Sequence, residues 1–121
     1  MRGLAAEMHA LFRVRCTFTC GRAVKPSVGV CLALFRIFRE AIHNAIRHGN
    51  ATAIRGSVVV EGDELLFRVR DDGAGFNPRV KKARGMGLRL MAYRAREVGG
   101  RIHIESVLGR GACVECRVPL R

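Results

Sequence analysis

The stretch RIFREAIHNAIRHG, Arg36 to Gly49, decides how this chain is to be read. Together with Leu34 just upstream, Ile37, Phe38, Ala41 and Ala45 recur at three- and four-residue spacing, the broad apolar stripe of an amphipathic helix. Ser27 is suited to cap its start and Gly49 to end it, so a helix is expected from residue 28 to about His48. That stripe demands a partner layer. Beside it, Glu40 and Asn44 lie four residues apart and therefore stack on one helix edge, with Arg47 and His48 one turn further on. The simplest guest for such an edge is a hydrated divalent cation carrying a phosphate. Without a guest, the same residues are a solvated polar face, and His48 is favoured near a helix C-terminus by the dipole alone.

Working outward, Val14, Cys16 and Phe18 alternate with Arg15 and Thr17, which predicts an edge or near-edge strand. Residues 2 to 11 are weakly helical and short of partners, and are read as the frayed remnant of an upstream linker or helix within 1–12. Downstream, Ala53–Val60 and Leu65–Arg70 flank the turn Glu61-Gly62-Asp63-Glu64 and form a hairpin. Asp71-Asp72-Gly73-Ala74-Gly75-Phe76 follows at the strand end, then a polar, basic loop from Asn77 to Gly85 interrupted by Pro78. A second helix, Leu88 to Val98, closes at Gly99-Gly100. Strands Arg101–Val107 and Ala112–Leu120 then flank the turn Gly109-Arg110-Gly111. The expected order is β-α-β-β-loop-α-β-β. Its natural solution is an α+β two-layer sandwich, with helices on one face of a mixed, largely antiparallel sheet, as one domain spanning 1–121.

The bulk numbers bound the function more than they name it. With 49% apolar and 26% charged residues the chain is an ordinary globular one, and no apolar window is long enough to span a bilayer. No signal peptide is expected. Five cysteines, an odd number, fit a reducing compartment. Cys113 and Cys116 form a C-x-x-C on a predicted strand, where they point to opposite faces and make a poor metal site; Cys16 and Cys20 are spaced more loosely still. The net charge of +12 raises polyanions as partners. The basic residues are not interleaved with aromatics, however, so nucleic acid is not expected as a partner.

Two glycine groups carry further chemistry. Asp71 at a strand terminus is placed to accept from a planar amino group, and Gly73 and Gly75 let backbone approach a flat ligand. Gly85-Met86-Gly87-Leu88 opens a helix, whose free N–H groups favour a phosphate, with Lys81, Lys82 and Arg84 just upstream. Each signal alone is also an ordinary tight turn. Their order is what is specific.

The segments LFRIFREAIHNAIRHG, DDGAGF, GMGLRLMAYRAREVGG and IHIESVLGRGACVECRVPL resemble the boxes and closing strands of the GHKL, or Bergerat-type, ATP-binding domains of histidine kinases, Hsp90, DNA gyrase B and MutL. The resemblance runs from Val28 to the C-terminus and is strongest to the catalytic domain of bacterial two-component sensor histidine kinases. It implies ATP and Mg²⁺ as ligands. Asn44 is then the Mg²⁺ residue and Glu40 the catalytic residue that helps activate the attacking group. Asp71 accepts from the adenine amine, Gly73 and Gly75 shape the adenine pocket, and Gly85, Met86, Gly87 and Leu88 meet phosphate. Arg47 and His48 face the phosphates, and Asn77 to Arg84 is the lid.

The implied function is to donate the ATP γ-phosphoryl to a histidine on a separate dimerisation domain, so the isolated domain is inactive in autophosphorylation. The partners implied are that histidine-bearing domain, in cis or trans, and indirectly a response regulator of the helix-turn-helix output type. The location implied is cytoplasmic, alone or as the cytosolic part of a membrane-bound kinase. A stand-alone anti-sigma-factor-type serine kinase and a non-catalytic nucleotide-sensing module are the alternatives. Two departures from the family pattern stand out. Asp72 replaces a common Asn and adds charge near an anionic ligand, and Ala112 replaces a common Thr at the adenine end, at a cost of about 1 kcal/mol.

Overall fold

In the computed structural model, residues 2–12, 14–21, 25–49, 51–73, 86–106 and 109–120 are described. The elements run α1 (Arg2–Phe12), β1 (Arg15–Cys20), α2 (Val28–Gly49), β2 (Ala53–Glu61), β3 (Glu64–Asp71), α3 (Met86–Glu97), β4 (Arg101–Ser106) and β5 (Ala112–Pro119). The sheet has the order β1-β2-β3-β5-β4. Only β1 and β2 pair in parallel; the other three pairings are antiparallel. The expected two-layer, mixed and largely antiparallel fold is therefore the observed one, and β1 lies at the expected edge. No helix among the described residues is long and apolar enough to cross a membrane.

α2 starts where Ser27 predicts, because the Ser27 Oγ accepts from the Val30 amide at 3.2 Å and caps the first turn. Its stripe is buried as expected: Leu34, Ile37 and Phe38 are fully inaccessible, and Ala41 and Ala45 nearly so. Phe38 seats in an aromatic cluster with Phe18 of β1 and Phe67 of β3, at centroid separations of 5.5 and 6.0 Å. Gly56 of β2 makes room for it. A Cβ at Gly56 would meet Phe18 Cδ2 at 2.9 Å and Phe38 Cε1 at 3.0 Å.

One element departs from expectation. The N-terminal segment is a helix of eleven residues, α1, packed on β1 and α2, with Leu4 and Ala5 buried in the common core. Its partners come from the long-range fold, so a local scan of its own sequence finds none.

The outer face of the sheet carries cross-strand ion pairs. Arg101 donates to Glu64 at 2.8 and 3.2 Å, Arg117 to Glu61 at 3.0 Å, and Arg68 to Glu115 at 3.2 Å. All are solvent-accessible, so each contributes only tenths of a kcal/mol. Leu66, in register with Arg117 and Val59, is 3% exposed although it lies on this outer side. Cys116 is in the core, where burial pushes its thiol up to about 11, while Cys113 is half-buried on the opposite face.

Asp72, expected as a stray charge, is a clasp. Its Oδ1 accepts from the amides of Thr52 and Ala53, both at 2.9 Å, and its Oδ2 accepts from Thr52 Oγ1 at 2.6 Å. The hydrogen bond from Thr52 Oγ1, then that from the Ala53 amide, hold its carboxyl below the usual range. The start of β2 is thereby tied to the end of β3. Both backbone donors use one oxygen, which an asparagine amide supplies equally well.

Two outcomes are expected. Phe38→Ala should cost about 3–5 kcal/mol in urea denaturation, since it empties the seat of α2. Asp72→Ala should cost about 1 kcal/mol, modest because the group is exposed, whereas Asp72→Asn should stay within a few tenths of wild type at pH 7. The Asp72 folded pKa is depressed, so its contribution is present above the unfolded value of 3.8 and is lost as pH falls through the folded pKa.

Candidate functional site

Of the site residues expected from the sequence, the described ones on α2, β3 and α3 lie on the helices or at the end of the strand that faces them. Asp71 ends β3 and is paired in register with Ile54, a fully buried core residue. Directly paired residues share a face, so the Asp71 carboxylate is directed into the interlayer space. It is half-buried there. The Gly73 amide donates to its Oδ1 at 2.8 Å. The Ala112 amide is close enough to the same carboxylate to favour its ionised form. Burial raises the Asp71 pKa; these two amides lower it, and Asp72 next door raises it, with a net shift upward. One hydrogen-bonded backbone donor leaves lone pairs on the carboxylate for a planar donor.

α2 packs against β2, β3 and α3. Because its buried face is set by Leu34, Ile37, Phe38, Ala41 and Ala45, Glu40 and Asn44 come to the margin of that face, both half-buried. Neither side chain has a hydrogen-bond partner among the described residues. Two neighbouring oxygen-bearing side chains at a half-buried edge match the hard, oxygen-preferring chemistry of Mg²⁺ and its waters. Arg47, one turn on, is exposed. His48 is within α2, and its side chain lies outside the described residues.

α3 begins at Met86, two residues earlier than expected, so Gly87 and Leu88 are in its first turn. The first-turn amides of a helix have no intrahelical acceptor, and no acidic residue in this turn competes for them. Leu88 packs on the core and anchors that end. Gly75, Gly85 and the lid from Asn77 to Arg84 lie outside the described residues.

The Gly109–Gly111 turn is read from the sequence only as a reversal. In the fold it lies against the end of β3, and Ala112 contributes to Asp71 through its amide, which every residue except proline supplies. What the family's hydroxyl would add is separate from this anchor. Sequence spacing carries no sign of it, because residues 71 and 112 meet only through the β3–β5 pairing.

A depression of about 340 Å³, lined by Arg101, Ile102, His103, Glu115 and Arg117, opens on the sheet surface away from Asp71. Its charged groups already pair within the sheet or with Glu105, and it has none of the features above. It is not the functional site.

Residues 29–121 match the family described as histidine kinase-, DNA gyrase B-, and HSP90-like ATPase. Sensor protein VraS of Staphylococcus aureus is 41% identical over 87 residues, which are 72% of this chain and 25% of that protein. VraS of Staphylococcus haemolyticus is similar to the same extent. The chain thus spans about a quarter of the length of the curated relatives it matches. Among solved structures, the histidine kinase domain of the Erythrobacter litoralis EL346 blue-light activated histidine kinase superposes with a TM-score of 0.78 at 17% identity, over 98% of this chain and 58% of that one. Acinetobacter baumannii histidine kinase AdeS superposes with a TM-score of 0.77 at 14% identity, over 98% and 60%. These two likenesses are of fold. With the family match covering nearly all of α2 through β5, the chain belongs to the histidine kinase-, DNA gyrase B- and HSP90-like ATPases.

Proposed function

We propose that this chain binds ATP with Mg²⁺ and acts as the catalytic domain of a two-component histidine kinase, passing the γ-phosphoryl to a histidine on a separate dimerisation domain. The observation that carries this is the Asp71 carboxylate: half-buried at a strand end, held by the Gly73 amide and directed toward the layer that contains α2 and α3. An adenine amino group is a planar donor of the kind this acceptor lacks. Gly73, which is buried, keeps the adjoining backbone close, and Gly75 is assigned with it to the adenine pocket.

The triphosphate extends from the base toward the helices. Gly85, Met86, Gly87 and Leu88 receive it at the α3 N-terminus, where free amides and the helix dipole favour negative charge. Arg47 and His48 add positive charge from the end of α2. Asn44 would hold Mg²⁺, which would supply charge neutralisation at the triphosphate. Glu40, one turn before Asn44, is assigned to the incoming imidazole, whose proton its carboxylate accepts or orients. The acceptor histidine belongs to another domain. Exposed Leu90 and Tyr93 on α3 are an apolar surface on which that domain can rest. This function locates the domain in the cytoplasm, and a response regulator with helix-turn-helix output is the downstream partner.

In calorimetric titration, wild type is expected to bind Mg-ATP at millimolar affinity or better, with Asn44→Ala weaker by about tenfold or more, equivalent to one metal-bridged contact. Incubated with labelled ATP and a dimerisation domain supplied in trans, wild type should label histidine and Glu40→Ala should not. No Mg-ATP binding would sink the proposal, and serine labelling of a small partner would favour the anti-sigma-factor type instead. ATP affinity should also fall on acidification. Because the Asp71 pKa is raised, the ionised acceptor is lost at higher pH than an ordinary aspartate near 3.8 would be.

A further inference from the structure

Gly109 and Gly111 flank one residue in the β4–β5 connection and adopt the same left-handed backbone, with φ of 85° and 86°. Their surroundings differ completely. Among the described residues, a Cβ at Gly109 would meet nothing within 4 Å. A Cβ at Gly111 would collide with the carbonyl oxygen of Asp71, and would also lie 3.1 Å from the Asp71 carbonyl carbon and 3.3 Å from Asp72 Cα. These are backbone atoms, so no rotamer change relieves the clash. Either the turn or the end of β3 must move.

We infer that Gly111 is a positioning residue for base selection: by seating the turn directly on the Asp71 backbone, it aims the carboxylate that reads the base. The inference deepens the proposed function and rests on the adenine assignment of Asp71. The chain of contact is short. Gly111 sits directly on the Asp71 main chain, and the next residue, Ala112, brings its amide close enough to the Asp71 carboxylate to favour the ionised form. Ser106 Oγ donates to the Gly111 carbonyl at 3.3 Å and holds the turn from β4. A single added carbon at position 111 pushes the turn and the end of β3 apart, which shifts the Asp71 main chain that carries the carboxylate and its Gly73 hydrogen bond.

A hydrogen bond to a planar amino group is directional, and a carboxylate free to turn loses alignment with it. Adenine presents a donor at its exocyclic position, whereas guanine presents a carbonyl there, which an ionised, well-aimed carboxylate repels. The expected signature of a misaimed Asp71 is therefore weaker ATP binding together with a narrower preference for ATP over GTP. A purely structural lesion lowers the folded fraction and weakens both nucleotides alike.

The test compares Gly111→Ala, Gly109→Ala and Asp71→Asn in the full chain, by thermal melting and by titration with Mg-ATP and Mg-GTP. Both alanine variants bear the same backbone strain and should lose stability comparably from it. Gly109→Ala should retain the wild-type ATP-to-GTP affinity ratio, while Gly111→Ala should reduce that ratio by about tenfold, approaching Asp71→Asn. If Asp71→Asn leaves the ratio unchanged, the adenine assignment itself is wrong. If Asp71→Asn removes the preference while Gly111→Ala matches Gly109→Ala, the assignment stands and the positioning role is overturned. Should Gly111→Ala fail to fold, Ser106→Ala, which removes the tether without adding an atom, decides: a lowered ratio supports the role and a wild-type ratio refutes it.

Discussion

The rotation of α2 about its own axis is the constraint on which the rest of this domain depends. Phe38 is fixed between Phe18 and Phe67, over a strand position that only glycine leaves open, and a helix held there cannot turn without expelling a phenyl ring. Every other residue of α2 then has its direction assigned by the 3.6-residue period. Glu40 and Asn44 fall at the margin of the buried face because Ile37, Ala41 and Ala45 occupy its centre. The polar edge is thus a consequence of apolar packing. It is held half out of water by residues that have no chemistry of their own.

The opposite wall is built differently. Asp71 is a strand-terminal residue whose direction follows from its pairing with Ile54, and whose carboxylate is then tied by the Gly73 amide. Asp72, its neighbour in sequence, points the other way, as alternation along a strand requires, and binds the start of β2. Two adjacent carboxylates therefore serve different ends: one is desolvated and raised in pKa, the other solvated, hydrogen-bonded and lowered. Burial separates them more than their mutual repulsion does.

Charge is distributed with similar economy. On the outer sheet face Glu61, Glu64 and Glu115 are each matched to an arginine on another strand, while Arg15, Arg55 and Arg70 have no acidic partner among the described residues. Those three arginines are exposed, so their positive charge is solvated and is not needed to explain the fold. The paired groups are accessible too, so their electrostatic contribution is small.

By itself the sequence determined the elements and their amphipathic faces: the capped α2 with its stripe, the β2–β3 hairpin, the closing strand pair, and the order of Glu40, Asn44, Asp71 and the Gly85–Leu88 turn. Those are local properties, written in periodicities and turn chemistry that need no distant partner. It did not determine α1's place in the core, because Leu4 and Ala5 are buried only when the helix folds back on β1 and α2. Nor did it disclose that Asp72 is a clasp, or that Gly111 and Ala112 hold Asp71, since 52 meets 72 and 112 meets 71 only once the sheet has formed. A hydrogen bond between segments twenty or forty residues apart leaves no period in the sequence. Tertiary structure decided those contacts because only strand pairing brings their backbones together.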